Sequence, residues 1–471
     1  MKKFHFRAAV LILAFLASHG SLALAQDSIA PPQSQSVTTL GESLKRPGNK
    51  QLHIFYVHGM AADGPGYSES LPLRKSICKY LKHCVSPEGE KESWEYADRG
   101  SFALGKQPPS LSYRGEPIWQ SRIGGSPTEG WNASAPFVVH WKLARNDGAP
   151  PIYVDEINWW PLVFAVKCRQ MIAKDAGLIG PGAAYLDRCS NLDPDTSPGN
   201  EGRFLSYPWI EKEDAAKLEG MPAKGALFNR GVKNALLDWG FTDAVLSVSQ
   251  MRSLLLEGIR ELVLKSVNVD SNGNRAGSTG PYPNQEFIII SHSLGSYLIL
   301  SALDYKLPDP DSASNQPWKL SFEKVMNQTS RVYFFANQIR LLDLANLEPS
   351  AGENMIDHLK AWRQYRCQFL LSHTDGPPPD SIPPQIVAWN DPSDLLSWTV
   401  PELNKDLNDL VVNLPVKNSI HWFWLIEDPI AAHENYATNH HVISAMLKPP
   451  KSNPATVENS CNSSPSPPSS Q

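Results

Sequence analysis

A serine set where an apolar strand turns directly into a helix is placed to act as a nucleophile. Residues 287–296, Phe-Ile-Ile-Ile-Ser-His-Ser-Leu-Gly-Ser, have that form around Ser293. A serine hydroxyl is a weak nucleophile alone, so this chemistry needs a base within hydrogen-bond reach and a third group that orients the base. The turn is so tight that the residues two before and two after the nucleophile must be small, which Ser291 and Gly295 satisfy. Upstream, Leu52-His-Ile-Phe-Tyr-Val-His58-Gly59-Met60 reads as a strand ending in His-Gly, before a loop Asp63-Gly64-Pro65-Gly66. Negative charge developing on a tetrahedral intermediate needs preorganised donors, and two backbone N–H groups would serve.

The run around Ser293 resembles the G-x-S-x-G motif of the α/β-hydrolase family, departing from it at the first position, where Ser291 replaces Gly. His-Ser-Leu-Gly-Ser at 292–296, Phe-Phe-Ala-Asn-Gln at 334–338, Asp-Pro-Ser-Asp-Leu-Leu-Ser at 391–397 and Ala-His-x-x-Tyr at 432–436 extend the likeness to a group of secreted or cytosolic hydrolases of that fold. It covers the catalytic core and implies esterase- or lipase-like cleavage of a lipid or small ester, through an acyl-enzyme on Ser293 and without a cofactor. Peptide or amide hydrolysis by the same residues is one alternative, and a silent binding module of the same fold is another.

In that family the acid and then the histidine follow the nucleophile, each after a later strand. His433, in Ala-Ala-His-Glu-Asn-Tyr, is then the general base. Asp394 is the preferred carboxylate, because Leu395-Leu396-Ser397 and Val400-Pro401 follow it as in lipase-like members. Asp391 is the alternative acid, with a purely local role as its competitor, since Asn-Asp-Pro-Ser is a strong turn former. The resemblance assigns the oxyanion donors to the backbone N–H groups of Met60 and Leu294, the motif glycines to Gly59 and Gly295, and a structural role to His58. His440 and His441 compete with His433, but neighbouring residues on the expected helix over 439–447 point to different faces and cannot readily share one ion. No metal site is expected.

Short apolar runs suited to buried parallel strands recur at 52–57, 152–157, 287–290, 332–335, 386–389 and 410–416. Helical patterns at 71–81, 236–267 and 294–306 alternate with them, which predicts a doubly wound, mostly parallel α/β sheet. Residues 85–235 interrupt the rhythm with Gly, Pro and seven of the 14 Trp, and are expected to form an insertion over the sheet. Trp159-Trp160-Pro161 within it reads as a packing and pocket element or as core.

The 471 residues are 41% hydrophobic and 19% charged, a globular composition, and the formal net charge of -5 excludes a general nucleic-acid binder. Residues 1–25 read as a signal peptide, with Lys2, Lys3 and Arg7 before ten apolar residues from Ala8 to Ala17 and cleavage after Ala25. That run is too short for the roughly 20 residues of a membrane span, so the protein is expected to be exported, periplasmic or secreted, with no stable transmembrane anchor. Residues 26–50 and 449–471 read as disordered ends of a domain over 51–448. Export favours disulfides, and Cys78 with Cys84 and Cys168 with Cys189 are the expected local pairs; Cys367 and Cys461 remain.

Overall fold

The computed structural model describes residues 40–45, 51–60, 70–97, 112–113, 116–117, 136–170, 240–267, 285–303, 325, 328–345, 385–400, 411–418, 421–422, 426–427 and 429–447. In chain order these hold α1 (Leu40–Lys45), β1 (Gln51–Val57), α2 (Leu71–Leu81), β2 (Glu90–Tyr96), β3 (Ser112–Tyr113), β4 (Glu116–Pro117), β5 (Phe137–Leu143), β6 (Ile152–Asn158) and α3 (Trp160–Gln170). Then follow α4 (Thr242–Val248), α5 (Arg252–Ser266), β7 (Gln285–His292), α6 (Leu294–Leu303), β8 (Thr329–Phe335), α7 (Ile339–Asp343), β9 (Gln385–Asn390) and β10 (Val411–Pro415). The last are β11 (His421–Trp422), β12 (Ile426–Glu427), α8 (Pro429–Glu434), a 3₁₀ turn (Asn435–Thr438) and α9 (His440–Leu447).

Eight strands form one mixed sheet in the order β10-β9-β8-β7-β1-β6-β5-β2. The six from β10 to β6 are parallel, while β5 and β2 run antiparallel at one edge. Strand side chains alternate between two apolar layers. Phe55, Val57, Phe287, Ile289, Val332 and Phe334 pack into one with residues of α3 to α7; Ile54, Tyr56, Ile288, Ile290, Tyr333 and Phe335 pack into the other with residues of α1, α2 and α9. Helices therefore cover both faces, and the six parallel strands are the six apolar runs of the sequence, within three residues at their ends.

Three expectations are corrected. The segment 85–235 is not only an insertion over the sheet, because β2, β5 and β6 within it are sheet strands. Glu-Lys-Glu-Ser-Trp-Glu-Tyr is polar because β2 is an edge strand, where charged side chains discourage pairing with another chain. Residues 40–45, expected to be disordered, form α1: Leu40 and Leu44 are buried, and a side chain at Gly41 would collide with the Leu447 backbone of α9. The apolar pattern at 236–267 breaks into α4 and α5, because Ser249 Oγ donates to the Leu246 carbonyl at 2.8 Å and accepts from the Met251 N–H at 3.1 Å. A serine that satisfies nearby backbone groups itself competes with the helix.

Cys78 and Cys84 are disulfide-bonded, with Cα atoms 5.3 Å apart. The chain reverses between them through a left-handed Lys82 (φ 58°) that caps α2. Cys168 falls in α3, but its expected partner Cys189 lies outside the described residues, as do the segments 1–39 and 448–471. Among the described residues no helix is long and apolar enough to cross a membrane.

Candidate active site

The chain passes from β6 on one side of β1 to β7 on its other side, and ligand sites in open α/β sheets form at such switch points, beyond the carboxyl ends of the strands. Ser293 stands there, between β7 and α6. It is 1% exposed and has φ 54°, a left-handed conformation that costs a non-glycine residue roughly 1–2 kcal/mol. Its N–H donates to the Phe335 carbonyl at 2.8 Å and its carbonyl accepts from the Ser296 N–H at 3.0 Å, so both sides of the turn are anchored.

The small residues have a somewhat different reason from the one expected. A Cβ on Gly295 would lie 2.5 Å from the Val57 carbonyl oxygen, so it is the end of β1 that demands glycine there. A Cβ on Gly59 would lie 2.8 Å from Ser293 Cβ and 3.1 Å from His292 Nδ1. The two glycines let the end of β1 abut the serine turn, bringing Met60 and Leu294 into the same neighbourhood. Ser291 is fully buried, and its hydroxyl donates to Ser296 Oγ at 3.0 Å, a bond that glycine could not make.

Ser293, His433 and Asp394 form a continuous hydrogen-bonded chain. Asp394 follows β9, and both its carboxylate oxygens lie 2.9 Å from His433 Nδ1. Since an ionised carboxylate only accepts, Nδ1 carries the proton, which leaves Nε2 as the acceptor for the Ser293 hydroxyl at 2.9 Å. With its one proton so committed, Ser293 Oγ accepts from Gln338 Nε2 at 2.8 Å. Asp394 is 5% exposed and also accepts from the Leu396 N–H at 2.9 Å and from Tyr436 Oη at 3.3 Å. Burial, and after it the charge of Asp394, hold the Tyr436 phenol well above its ordinary titration range, so it stays a donor.

Asp391 is placed differently. Its Oδ1 accepts from the Ser393 N–H at 2.9 Å, the local turn bond that competed with a catalytic role. Its Oδ2 accepts from the Asn418 N–H at 2.6 Å, and Asn418 Nδ2 in turn donates to the Ala432 carbonyl at 2.9 Å, beside His433. Asp391 thus holds the backbone that carries His433. His440 and His441 are exposed at the start of α9.

Gln338, Tyr436 and His292 are contributors that no role was assigned to from sequence. Each lies within a quoted motif, but amides, phenols and imidazoles have too many structural uses for type and spacing to single them out. His292 Nε2 donates to the carbonyl of His433 at 2.8 Å, and burial, reinforced by the nearby His433, pushes its pKa down to about 4. It is therefore neutral at pH 7, with its proton on the nitrogen that holds the His433 backbone.

His58 is 1% exposed; its Nδ1 donates to the Gly59 carbonyl at 2.7 Å, and its ring stacks on Trp159 at 5.0 Å. The Trp159 indole donates to the His58 carbonyl at 3.1 Å, so this tryptophan is core that braces the end of β1. Burial outweighs the bond to Gly59 and pushes the His58 pKa from 6.5 to about 4. The unfolded chain thus binds a proton between those values that the folded chain refuses, and stability falls as pH drops from 6.5 towards 4, by about 3 kcal/mol in all from this residue. Urea titrations should therefore show a smaller loss between pH 7 and pH 4.5 in His58→Gln than in the parent, the share of His292, whose pKa is lowered alike, remaining in both. Equal losses in the two proteins would contradict a buried neutral imidazole.

Comparison of the chain with protein-family models, with curated proteins and with solved structures finds no match.

Proposed function

We propose that the protein is a serine hydrolase of the α/β-hydrolase fold that cleaves carboxylic esters through an acyl-enzyme on Ser293. The observation that carries this reading is the Asp394–His433–Ser293 chain of hydrogen bonds, each link 2.9 Å, ending on a serine in a left-handed turn. His433 Nε2 takes the serine proton as Oγ attacks the carbonyl carbon, then gives it to the departing alcohol. Asp394 fixes the tautomer and stabilises the imidazolium, and the N–H groups of Met60 and Leu294 receive the oxyanion. A binding module would have no use for a buried serine whose backbone is strained and whose hydroxyl is hydrogen-bonded to an oriented imidazole, so the same observation favours catalysis over silent recognition. The apolar segment after Lys2 and Lys3 supports export to the periplasm or beyond the cell.

Nitrophenyl esters and the matching anilides test the reaction class side by side. Ester turnover is expected to exceed anilide turnover by orders of magnitude; the reverse order would make the protein an amidase or peptidase with the same residues.

A further inference from the structure

Ser293 Oγ is held from two sides, by His433 Nε2 at 2.9 Å and by Gln338 Nε2 at 2.8 Å. Gln338 is 1% exposed and follows β8 on a segment with little freedom. Ala336 has φ 50°, and its N–H donates to the Trp389 carbonyl at 3.2 Å. Asn337 Nδ2 donates to Asn390 Oδ1 at 2.9 Å and to the Trp398 carbonyl at 2.7 Å, while the Trp398 N–H returns a bond to the Asn337 carbonyl at 3.1 Å. Left-handed backbone at a non-glycine residue persists only where its surroundings impose it, and it clusters at functional sites. Here the imposed geometry delivers one amide N–H to the reacting oxygen.

We propose that Gln338 is a catalytic donor to Ser293 Oγ, acting chiefly in hydrolysis of the acyl-enzyme; this rests on the serine-hydrolase reading above. In acylation Oγ is the nucleophile. Its proton passes to His433 Nε2, the C–Oγ bond forms, and the carbonyl π pair moves onto the carbonyl oxygen; collapse returns that pair and expels the alcohol, protonated by His433. A hydrogen bond donated to Oγ stabilises charge on it but also withdraws the electron density that attacks, so its two effects oppose one another.

In deacylation Oγ is the leaving group. Water loses a proton to His433 as its oxygen attacks the acyl carbon. When the second tetrahedral intermediate collapses, the C–Oγ bond breaks with its electron pair going to Oγ, which takes the proton back from His433. The Gln338 N–H now stabilises charge that grows only towards the transition state, which is where an interaction accelerates a step. The backbone donors serve the carbonyl oxygen; Gln338 serves Oγ.

Stopped-flow kinetics with p-nitrophenyl acetate on the full chain separate the two steps, since the burst reports acylation and the following linear phase deacylation. Gln338→Met, of similar volume but without a donor, and Gln338→Glu, of the same shape with an oxygen in place of the nitrogen, are the variants. In each, the deacylation constant is expected to fall by about 100- to 1,000-fold, as for loss of one preorganised donor, and the acylation constant by less than about 3-fold. Melting curves identify a variant that fails to fold, and the other variant then decides. Equal falls in both constants, or no fall in either, would overturn the role of Gln338 in a protein whose Ser293 still labels with a fluorophosphonate. If the parent protein itself neither labels at Ser293 nor turns over, the serine-hydrolase reading fails and this inference with it.

Discussion

His433→Ala is expected to lower ester turnover by on the order of 10⁶-fold, with Ser293→Ala losing about as much and the double variant no more than either single one. The reason is the way the three groups share one proton. With its hydroxyl proton committed to His433 Nε2 at 2.9 Å, Ser293 Oγ becomes nucleophilic only as that proton leaves. Without the imidazole the serine is an ordinary alcohol, and without the serine the imidazole has no partner to activate. What survives either loss is the contribution of the oxyanion donors and of substrate positioning. Turnover numbers of the purified variants check this. Losses that multiply in the double variant, or a larger loss in His440→Ala or His441→Ala than in His433→Ala, would contradict the assignment. Both of those histidines are exposed.

Asp394→Asn is expected to cost about 10⁴-fold in turnover under conditions where the variant remains folded. The amide keeps the shape of the carboxylate but turns an NH₂ towards one side of His433 Nδ1, so the imidazole is driven to the tautomer whose Nε2 bears the proton and can no longer accept one from Ser293. Asp391→Asn should behave the opposite way. Its two oxygens accept separate backbone N–H groups, from Ser393 at 2.9 Å and Asn418 at 2.6 Å, and an amide can satisfy only one of them. A buried donor facing another donor costs roughly 1–3 kcal/mol, so the melting temperature should drop while turnover at low temperature falls far less than in Asp394→Asn. A dead, well-folded Asp391→Asn beside a fully active Asp394→Asn would exchange the two roles.

The difference between these aspartates was only partly legible in the sequence. They stand three positions apart after the same strand, and both follow turn-forming residues. What separates their carboxylates in space is His433, which bonds that of Asp394, and Asn418, which bonds that of Asp391, while Tyr436 Oη touches both residues, donating to the Asp394 carboxylate and accepting from the Asp391 N–H; these partners are distant in sequence, and the contacts leave no periodic or spacing signal. Ser293 was legible because a strand-to-helix junction shows in its apolar pattern, and the strands at 52–57 and 287–290 because parallel strands buried on both faces read as unbroken apolar runs. Antiparallel β2 and β5 lack that signature: β2 carries Glu90, Lys91, Glu92 and Glu95 at the edge of the sheet, which reads as loop. Gln338 was hidden for another reason. Its position depends on Ala336 taking a left-handed backbone without glycine, and on Asn337 being held by Asn390 and Trp398, constraints that come from packing between loops.

The most direct test of the central claim is covalent labelling of the purified protein with a fluorophosphonate probe, followed by mapping of the modified peptide. Such probes phosphonylate only a serine that an adjacent base has activated, so the result does not depend on knowing the natural substrate. The expected result is one label per chain, on Ser293, lost in Ser293→Ala and in His433→Ala while both variants keep their melting temperatures. Absence of labelling in the folded parent, or a label that persists in Ser293→Ala, would contradict the assignment of Ser293 as an activated nucleophile.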